Sequence, residues 1–416
     1  MSLTTPQHST QARACPVPHV SPVETGVTRV ALYTEEFAAD PHRAYREMRR
    51  QYGSLVPVDL APDVPATLVI GYHTAVQILN DPEHFPSDPR SWQKSVPSDC
   101  PILPMLEWRP NALRSAGLEH TRYRQANTVA IDEIDLFSLH SAVEQVAVPL
   151  INSFCERGTA DLISQYAFPL TFAVLNSMLG CPPDIGQQVA KALAAMFEGV
   201  DADKINTTLT NALFDLLTRK RAEPGDDITS RLLAHQNQLD DAELINQLVT
   251  LYGAGIEPLQ NLIVNTLLLM LTDDRFAGVG PSTRDALNEL LFTDPPLANF
   301  SVTYPRQPIL IDDVWLPAHQ PVVISMAGCN NDPAIHDGEY TDNNSHLAWG
   351  AGPHACPAKS VAYLVAQNAI DQLLDALPDI RLACPADQLS WRPGPFHRAL
   401  VSMPVVFPES PPLKVF

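Results

Sequence analysis

The chain has 416 residues, of which 45% are hydrophobic and 18% are charged, and its formal net charge at pH 7 is -20. This length and apolar content can bury a large core, whereas the acidic balance argues against nucleic acid or an anionic membrane as the main partner. Seven cysteines without a C-x-x-C pair argue against a disulfide scaffold or a structural zinc site.

The first segment, residues 1–28, is rich in proline, serine and threonine. We expect it to be a flexible N-terminal arm, followed by one large domain over residues 29–416. The arm has neither a basic start nor the apolar run of a signal peptide. No segment offers about 20 uninterrupted apolar residues for a membrane span. We therefore expect a cytoplasmic protein without a membrane anchor.

The next elements are predicted from changes in apolar periodicity. Residues 40–60 predict an amphipathic helix that runs into a strand, and residues 66–81 predict a strand, a turn and a helix. Residues 83–115 form a proline-rich loop that contains Trp92 and Trp108, and a loop of this length usually has a function. The two tryptophans either pack against a ring-shaped substrate or anchor the loop.

Helical patterns dominate the middle of the chain, and strand patterns gather towards its two ends. Helices are predicted at residues 139–157, 160–179, 183–199, 202–221, 226–236 and 241–272, short strands at 301–326, and a last long helix at 358–376. The sequence therefore predicts a single, mainly α domain with a small β region (α+β) that is assembled from distant segments.

The most informative segment is HLAWGAGPHACPAKSVAYLVAQ, residues 346–367. Gly350 and Gly352 permit a tight backbone and close approach to a flat ligand, and Pro357 suits the first turn of a helix. Cys356 therefore stands at a helix start, where amide groups and the helix dipole favour a thiolate. A thiolate held rigidly beside an apolar pocket can be an axial ligand of haem iron. The alternative is a buried, inert cysteine.

A longer pattern surrounds this cysteine. The pattern consists of Trp349, Gly350, Gly352, His354, Cys356 and Ala358. It resembles the Phe-x-x-Gly-x-Arg/His-x-Cys-x-Gly pattern of the cytochrome P450 family, with tryptophan in the first place and alanine in the last. The resemblance, to soluble bacterial haem-thiolate enzymes, extends from about residue 35 to residue 410.

The segment GLEHTRYRQ resembles the early helix of that family whose histidine and arginine bind the haem propionates. The corresponding residues are His120 and Arg124, and their spacing of four places both on one helical face. The resemblance implies haem b with the thiolate of Cys356 as the metal ligand. It also implies use of O₂ and two electrons, delivered from NAD(P)H by a ferredoxin and a ferredoxin reductase.

Substrate contacts follow from the resemblance region by region. They are expected from Trp92, Leu259, Asn299 and Ser301. The expected activity is a monooxygenase or oxidase that acts on a small molecule of bacterial secondary metabolism. Lys359, beside the ligand in sequence, either belongs to a cationic docking patch for the redox partner or is an ordinary solvated lysine.

The central helix departs from the family pattern Ala-Gly-x-Asp/Glu-Thr. The chain has Ala254, Gly255, Ile256, Glu257 and Pro258, so the acid is kept and the alcohol is absent. Pro258 removes one helical hydrogen bond and is expected to kink the helix. We expect ordered water, Glu257 or a substrate group to deliver protons in place of the alcohol. The alternative is that Pro258 only bends a core helix.

Two further departures concern the support of the haem. Phe292 replaces the arginine of the Glu-x-x-Arg motif, and asparagines in residues 338–349 replace a second arginine. A lone buried carboxylate is costly, so we expect Glu289 to be hydrogen-bonded differently or partly hydrated. Pro357 offers no N–H to the thiolate, which predicts a lower reduction potential than in relatives with leucine there.

Several functions remain open on the sequence alone. The enzyme either hydroxylates its substrate or couples it oxidatively without inserting oxygen, and an aromatic cyclic dipeptide or a polyketide-like compound suits both reactions. Outside this class lie a haem-binding protein that has lost catalysis and a helical scaffold without haem, in which Cys356 is inert.

Overall fold

A computed structural model of the chain describes residues 28–197, 202–276, 280–335 and 343–414. The predicted arm over residues 1–28 lies outside the described residues except for Thr28. The described part forms a large helical body with three small sheets, which confirms the predicted fold class.

The helices of the described residues are numbered in chain order. They are α1 (Glu35–Ala39), α2 (Pro41–Tyr52), α3 (Tyr72–Leu79), α4 (Leu103–Leu106), α5 (Gly117–Asp132), α6 (Leu136–Asn152), α7 (Phe168–Met178), α8 (Pro183–Phe197), α9 (Ala202–Ala222), α10 (Ile228–Ala234), α11 (Asp241–Thr272), α12 (Thr283–Thr293), α13 (Met326–Asn330) and α14 (Lys359–Ala376).

The strands are short and come from distant parts of the chain. They are β1 (Val30–Ala31), β2 (Leu55–Asp59), β3 (Pro65–Val69), β4 (Thr159–Asp161), β5 (Ser301–Thr303), β6 (Ile309–Ile311), β7 (Val314–Leu316), β8 (Val322–Ile324), β9 (Arg381–Leu382) and β10 (Pro404–Val406). The largest sheet has the order β1-β2-β3-β8-β5, and the others are β4-β10-β9 and β6-β7.

The largest sheet joins the two ends of the chain. β3 pairs in parallel with β8, where Thr67 lies opposite Val322 and Val69 lies opposite Ile324. The residues of β8 are all buried, as are most of β2 and β3, which is typical of strands covered on both faces. Parallel pairing needs a long crossover, and here the helical body from α3 to α12 supplies it.

The longest helix, α11, forms the centre of the helical body. It begins at a capping box in which Asp240 accepts from the backbone N–H of Glu243 and the Glu243 carboxylate accepts from the Asp240 N–H. Among the described residues, α11 alone has the length and mean hydropathy of a membrane span as a single helix, yet 56% of that apolar window is buried. Packing inside the helical body therefore accounts for much of its apolar surface. Pro258 lies inside α11 without interrupting it.

Two predicted helices differ from the structure by more than two residues at one end or at both. The helix predicted at residues 139–157 ends at Asn152, and the segment predicted as a helix from residue 160 instead contributes to strand β4 and then forms a π-helix over Ile163–Ala167. Pro169 explains the second difference, because it has no N–H for the carbonyl of Gln165. π-Helical segments are rare and occur mostly as single-turn bulges in α-helices.

The proline-rich loop over residues 83–115 is anchored to the main sheet. It contains a 3₁₀ turn at Trp92–Lys94 and the short helix α4. The ring of the buried Trp92 lies 5.8 Å from that of Tyr304, between the centroids. This packing favours the anchoring interpretation of Trp92.

Candidate functional site

Helix α5 contacts the loop that precedes Cys356. The imidazole rings of His120 and His354 lie 4.0 Å apart between their centroids. One helical turn after His120, the guanidinium Nη2 of Arg124 donates to the carbonyl of Ala355. The sequence spacing of four therefore does place both predicted residues on the face of α5 that meets the cysteine loop.

Arg114 adds a fourth basic group that sequence reasoning did not identify. Its side chain is 3% exposed, its Nη2 donates to the carbonyl of Met105 at 2.7 Å, and its guanidinium lies 5.3 Å from the ring centroid of Phe300. No short sequence pattern marks this residue. Its burial in a fold with few buried charges is the only signal.

These basic groups lower one another's tendency to be protonated. Burial, together with the smaller effects of the charges of His120, Arg124 and Arg114, lowers the pKa of His354 to about 3. Burial and the charge of Arg124 lower the pKa of His120 to about 4. No carboxylate of the described residues forms an ion pair with any of these four side chains, and the buried Nε2 of His120 has no hydrogen-bond partner. Such a cluster is suited to an anionic ligand.

The cysteine loop depends on its glycines. Gly350 and Gly352 have φ values of +70° and +66°. A Cβ on Gly352 would lie 2.1 Å from the carbonyl oxygen of Leu79, so α3 approaches the loop too closely for any side chain. The loop closes where the backbone N–H of Cys356 donates to the carbonyl of Trp349 at 2.7 Å.

The thiol of Cys356 is not made acidic by its position alone. Burial raises the pKa of Cys356, while a hydrogen bond from the Ala358 backbone N–H and the charge of Arg124 oppose this effect. The predicted preference for a thiolate at the helix start is therefore outweighed by desolvation. A metal cation bound to the sulfur reverses this balance, because a coordinating thiol is deprotonated.

The middle of α11 borders open space. Gly253 and Ala254 are exposed, whereas the residues around them in α11 are half-buried or buried. A Cβ on Gly253 would meet no atom within 4 Å. Trp349 and Ala358 of the cysteine segment pack against the same hydrophobic core as α11. A thiol, a basic cluster and an open apolar helix face together fit a flat cofactor with acidic substituents, which describes haem and its propionates.

Glu257 is engaged by a residue from the far end of the chain. It lies one turn after Gly253 on α11, and the Nη2 of Arg392 donates to its carboxylate. His397 is a close neighbour, and burial lowers its pKa while the charge of Glu257 raises it. The Nε of Arg392 and the Nε2 of His397 are buried without hydrogen-bond partners. Sequence reasoning missed both residues because they are remote from Glu257 along the chain.

The predicted substrate residues are mostly inside the protein. Leu259 is buried in the main core, and Ser301 begins β5 opposite Ile324. Asn299 is buried, accepts from the hydroxyl of Tyr45 and donates to the carbonyl of Pro395, both at 2.9 Å. Asn299 thus connects α2 with the C-terminal segment, and its role towards a substrate stays a prediction.

Glu289 forms an ion pair with a different arginine from the one in the family motif, where this chain has Phe292. This agrees with the expectation that Glu289 is hydrogen-bonded differently. The Nη2 of Arg275 donates to Glu289 Oε1 at 2.6 Å and to Asp273 Oδ2 at 2.6 Å. The ring of the buried Phe292 instead meets the ring of His346 edge-on, with 6.2 Å between the centroids. The carboxylate of Glu289 is therefore paired with Arg275, and at the second position of the motif the ring of Phe292 makes an aromatic contact instead of an ion pair.

The chain is similar over most of its length to bacterial oxidative enzymes. It is 28% identical over 398 residues to cytochrome P450 107B1 of Saccharopolyspora erythraea, covering 91% of this chain and 98% of that protein. It is 28% identical over 395 residues to the cytochrome P450 monooxygenase PikC of Streptomyces venezuelae, covering 89% and 92%. The solved structure of myxobacterial cytochrome P450 CYP267B1 in complex with myristic acid matches with a TM-score of 0.80, 25% identity and coverage of 90% and 98%. No protein-family model matches the chain.

The fold and these similarities define the class of protein: the chain belongs to the cytochrome P450 family. It is a bacterial oxidoreductase of the monooxygenase class, and its cofactor is haem b with a cysteine thiolate as axial ligand. The predictions of family, fold, enzyme class and cofactor are thereby confirmed.

Proposed function

We propose that Cys356 is the axial haem ligand and that the enzyme uses O₂ and two electrons to hydroxylate a polyketide-type small molecule in bacterial secondary metabolism. The observation that carries the proposal is the basic cluster without carboxylate partners that α5, the segment before it and the loop leading to Cys356 form together. In the described part of the chain, this site combines a thiol, two arginines without carboxylate partners, two histidines and contact with the core around α11.

The basic residues bind the propionates in this proposal. Arg124, His120 and His354 supply hydrogen-bond donors from α5 and the cysteine loop, and Arg114 adds a guanidinium from the preceding segment. Trp349, Gly350, Gly352 and Ala358 shape the loop so that the sulfur stays fixed. When bound, haem b supplies oxygen activation and one-electron chemistry, while the protein supplies position and protons.

Proton delivery passes through Glu257 in this proposal. Pro258 has no hydroxyl, and because it lacks an N–H it leaves the carbonyl of Ala254 without its usual helical donor. That carbonyl can accept a hydrogen bond from water or from a substrate group. Glu257 forms an ion pair with Arg392. To transfer a proton, its carboxylate must therefore release Arg392 and form a hydrogen bond with a water molecule or a substrate group.

The substrate class is inferred from the names of the relatives. The chain is 28% identical over 400 residues to the 6-deoxyerythronolide B hydroxylase of Saccharopolyspora erythraea, and 27% identical over 307 residues to the polyketide biosynthesis cytochrome P450 PksS of Bacillus subtilis. We infer a bulky natural product as substrate, a ferredoxin with its NAD(P)H-dependent reductase as the electron source, and a cytoplasmic location.

One observation favours a second reaction. The alcohol that usually assists oxygen cleavage is replaced by Pro258, which lies inside α11. A site with a weakened proton relay also suits oxidative coupling of an aromatic substrate, such as a cyclic dipeptide, without insertion of oxygen. Isotopically labelled oxygen gas separates the two reactions, because hydroxylation incorporates the label into the product and coupling does not.

The test of the proposed function uses the purified, haem-loaded enzyme and the red-shifted carbon-monoxide band of thiolate-ligated haem. Cys356→Ala should abolish this band and turnover. Cys384→Ala is the matched control, because this half-buried thiol has no part in the proposal and its loss should leave the band intact. Persistence of the band in Cys356→Ala would refute the assignment of the ligand.

A further inference from the structure

Asn330, the last residue of α13, joins two segments that frame the cysteine loop. Its side-chain Nδ2 donates to the carbonyl of Leu291 on α12 at 3.1 Å, and its Oδ1 accepts from the backbone N–H of Leu347 at 2.7 Å. The side chain is fully buried. One amide group therefore uses its donor and its acceptor in opposite directions, which neither a carboxylate nor an apolar side chain can do.

The contact continues along the backbone to the proposed ligand. The carbonyl of Leu347 accepts from the N–H of Gly350 at 2.7 Å, and the carbonyl of Trp349 accepts from the N–H of Cys356 at 2.7 Å. The position of Leu347 therefore sets the start of a closed turn that ends at Cys356. A shift at Asn330 passes to the sulfur through short backbone hydrogen bonds.

The ion pair on α12 does not perform this task. Glu289 pairs with Arg275, which is 55% exposed and also holds Asp273 at the end of α11. This pair links α12 to α11 on the protein surface. Towards the cysteine loop, α12 presents the ring of Phe292 against His346 and the carbonyl of Leu291 to Asn330. Within the described residues, these contacts between α12 and the segment of the cysteine loop involve no ion pair, and His346 is their one titratable group.

We propose that Asn330 is the positioning residue that keeps the sulfur of Cys356 at the iron, in place of the charged support that the Glu-x-x-Arg pattern implies. The inference rests on the proposed function, because it takes Cys356 as the ligand. Loss of the amide leaves the carbonyl of Leu291 and the N–H of Leu347 buried without partners. The cysteine loop then gains alternative positions, and thiolate ligation is lost from part of the haem-loaded protein.

Asn331 provides a matched control in the next position. Its Nδ2 donates to the carbonyls of Thr293 and Ala327, at 2.8 and 2.9 Å. It therefore also holds α13 against the end of α12, but no contact of its side chain with Leu347 is recorded. A purely structural role of this region predicts similar effects at both asparagines, whereas the proposal predicts that only Asn330 controls thiolate ligation.

The experiment compares the haem-loaded wild type with Asn330→Leu, Asn330→Asp and Asn331→Leu. The carbon-monoxide difference spectrum gives the fraction of haem with a thiolate ligand, and hydrogen exchange gives the protection of the Leu347 amide. In Asn330→Leu, the ratio of thiolate-ligated to other haem should fall by about fivefold or more, because a lost buried hydrogen bond shifts an equilibrium by that order. Protection of Leu347 should fall with it, and Asn331→Leu should leave both near wild-type values.

Asn330→Asp adds a test within a single variant, because the same protein is compared at two pH values. An ionised aspartate cannot donate to the carbonyl of Leu291, whereas a protonated one can donate there and still accept from Leu347. Because burial raises the pKa of a carboxyl group, lowering the pH from about 8 to about 6 should restore part of the thiolate signal in this variant. The wild type should lack this recovery.

The outcomes separate the two levels of the proposal. A wild-type thiolate signal that persists in both Asn330 variants overturns the role of Asn330 and leaves the proposed function standing. Equal losses in the Asn330 and Asn331 variants also overturn it, because they indicate general damage. A wild type without the thiolate signal overturns the proposed function, and the inference falls with it.

Discussion

At the scale of single residues, two glycines in the cysteine loop are required for different reasons, Gly350 for its backbone conformation only and Gly352 also for lack of space. Gly350 and Gly352 have nearly equal positive φ values, but a Cβ on Gly350 would meet its nearest atom, the Cα of Ala355, at an ordinary 3.6 Å. A Cβ on Gly352 would overlap the backbone of Leu79. The same substitution should therefore have two different costs.

We expect Gly350→Ala to destabilise the protein by about 1–2 kcal/mol, the cost of a left-handed conformation for an L-residue. Gly352→Ala should cost more than about 3 kcal/mol and strongly reduce haem content, because α3 or the loop has to move. Thermal unfolding and the haem-to-protein absorbance ratio of both variants measure this difference. Equal losses would show that Leu79 does not constrain the loop.

Arg114 supports a second prediction at this scale. Arg114→Met removes a buried cation without a carboxylate partner, and the proposed propionate loses one charged hydrogen bond, worth about 1.5–3 kcal/mol. Transfer of haem to an excess of apomyoglobin should become about tenfold faster or more. Arg109→Met is the control, because Arg109 is paired with Glu107 on the surface side of the segment. Unchanged transfer in Arg114→Met would place the residue outside the haem site.

At the scale of elements, packing of the segment before the cysteine against α12 changes the pKa of one of its residues, His346. His346 lies between Phe292 of α12 and the start of the loop, and its Nδ1 accepts from the backbone N–H of Ala348 at 3.3 Å. Burial, together with the smaller effect of the charge of Lys359, lowers the pKa of His346 to about 4. The imidazole is therefore neutral in the folded protein over a range of pH in which it is charged in the unfolded chain.

The free energy of unfolding should fall as the pH drops from about 6.5, the pKa of an unperturbed histidine, to about 4. In this window the unfolded chain binds a proton that the folded state does not, so the stabilisation is fully present only above the window. His346→Gln should flatten this dependence by up to about 3 kcal/mol across the window. Denaturant unfolding at several pH values, with the exposed His73→Gln as control, checks this. Equal slopes for the two variants would contradict the effect.

Elements with long apolar periodicity were predictable from sequence, and partners from elsewhere in the chain were not. α11 has the predicted bounds, and α14 differs from its predicted range by one residue. The short strand β4 was missed because it is defined by pairing with β10. The partners of Glu257 and Glu289 were missed for the same reason, since nothing near either carboxylate in sequence marks Arg392 or Arg275.

The site follows the same division. His120, Arg124 and the cysteine loop are local patterns, and the structure brings them together. Arg114 and Asn330 have no local pattern, because their importance lies in burial and in groups contributed by other elements. The proposed ligand and its neighbours can be predicted from local sequence patterns, whereas residues that position them through tertiary contacts cannot.

At the scale of the whole molecule, the C-terminal segment is fastened to the helical body. The side chain of Asn152 at the end of α6 donates to the carbonyl of Leu413 at 2.9 Å and accepts from its N–H at 2.7 Å. β10 lies a few residues earlier and pairs with both β4 and β9. Beyond the sheet, the backbone N–H of Ser410 donates to the carbonyl of Cys155 at 3.0 Å, and the described residues after 410 are held by the side chain of Asn152.

Asn152→Ala should release this segment and leave the site intact. We expect faster carboxypeptidase trimming of residues after 410 and faster amide exchange there, because both hydrogen bonds to Leu413 are lost. The carbon-monoxide spectrum should not change. Ser153→Ala, which removes only a hydroxyl that donates to the carbonyl of Leu150, is the control. A change in haem ligation in Asn152→Ala would connect the tail to the site.

The pairing of β3 with β8 has a consequence for synthesis of the protein. β3 leaves the ribosome early, yet its neighbour, residues 322–324, is made only after the whole helical body. Until then one edge of β3 has no neighbour, and such an edge promotes association between nascent chains. Production in a host with abundant chaperones, or at a low temperature that slows aggregation, should therefore raise the yield of folded protein.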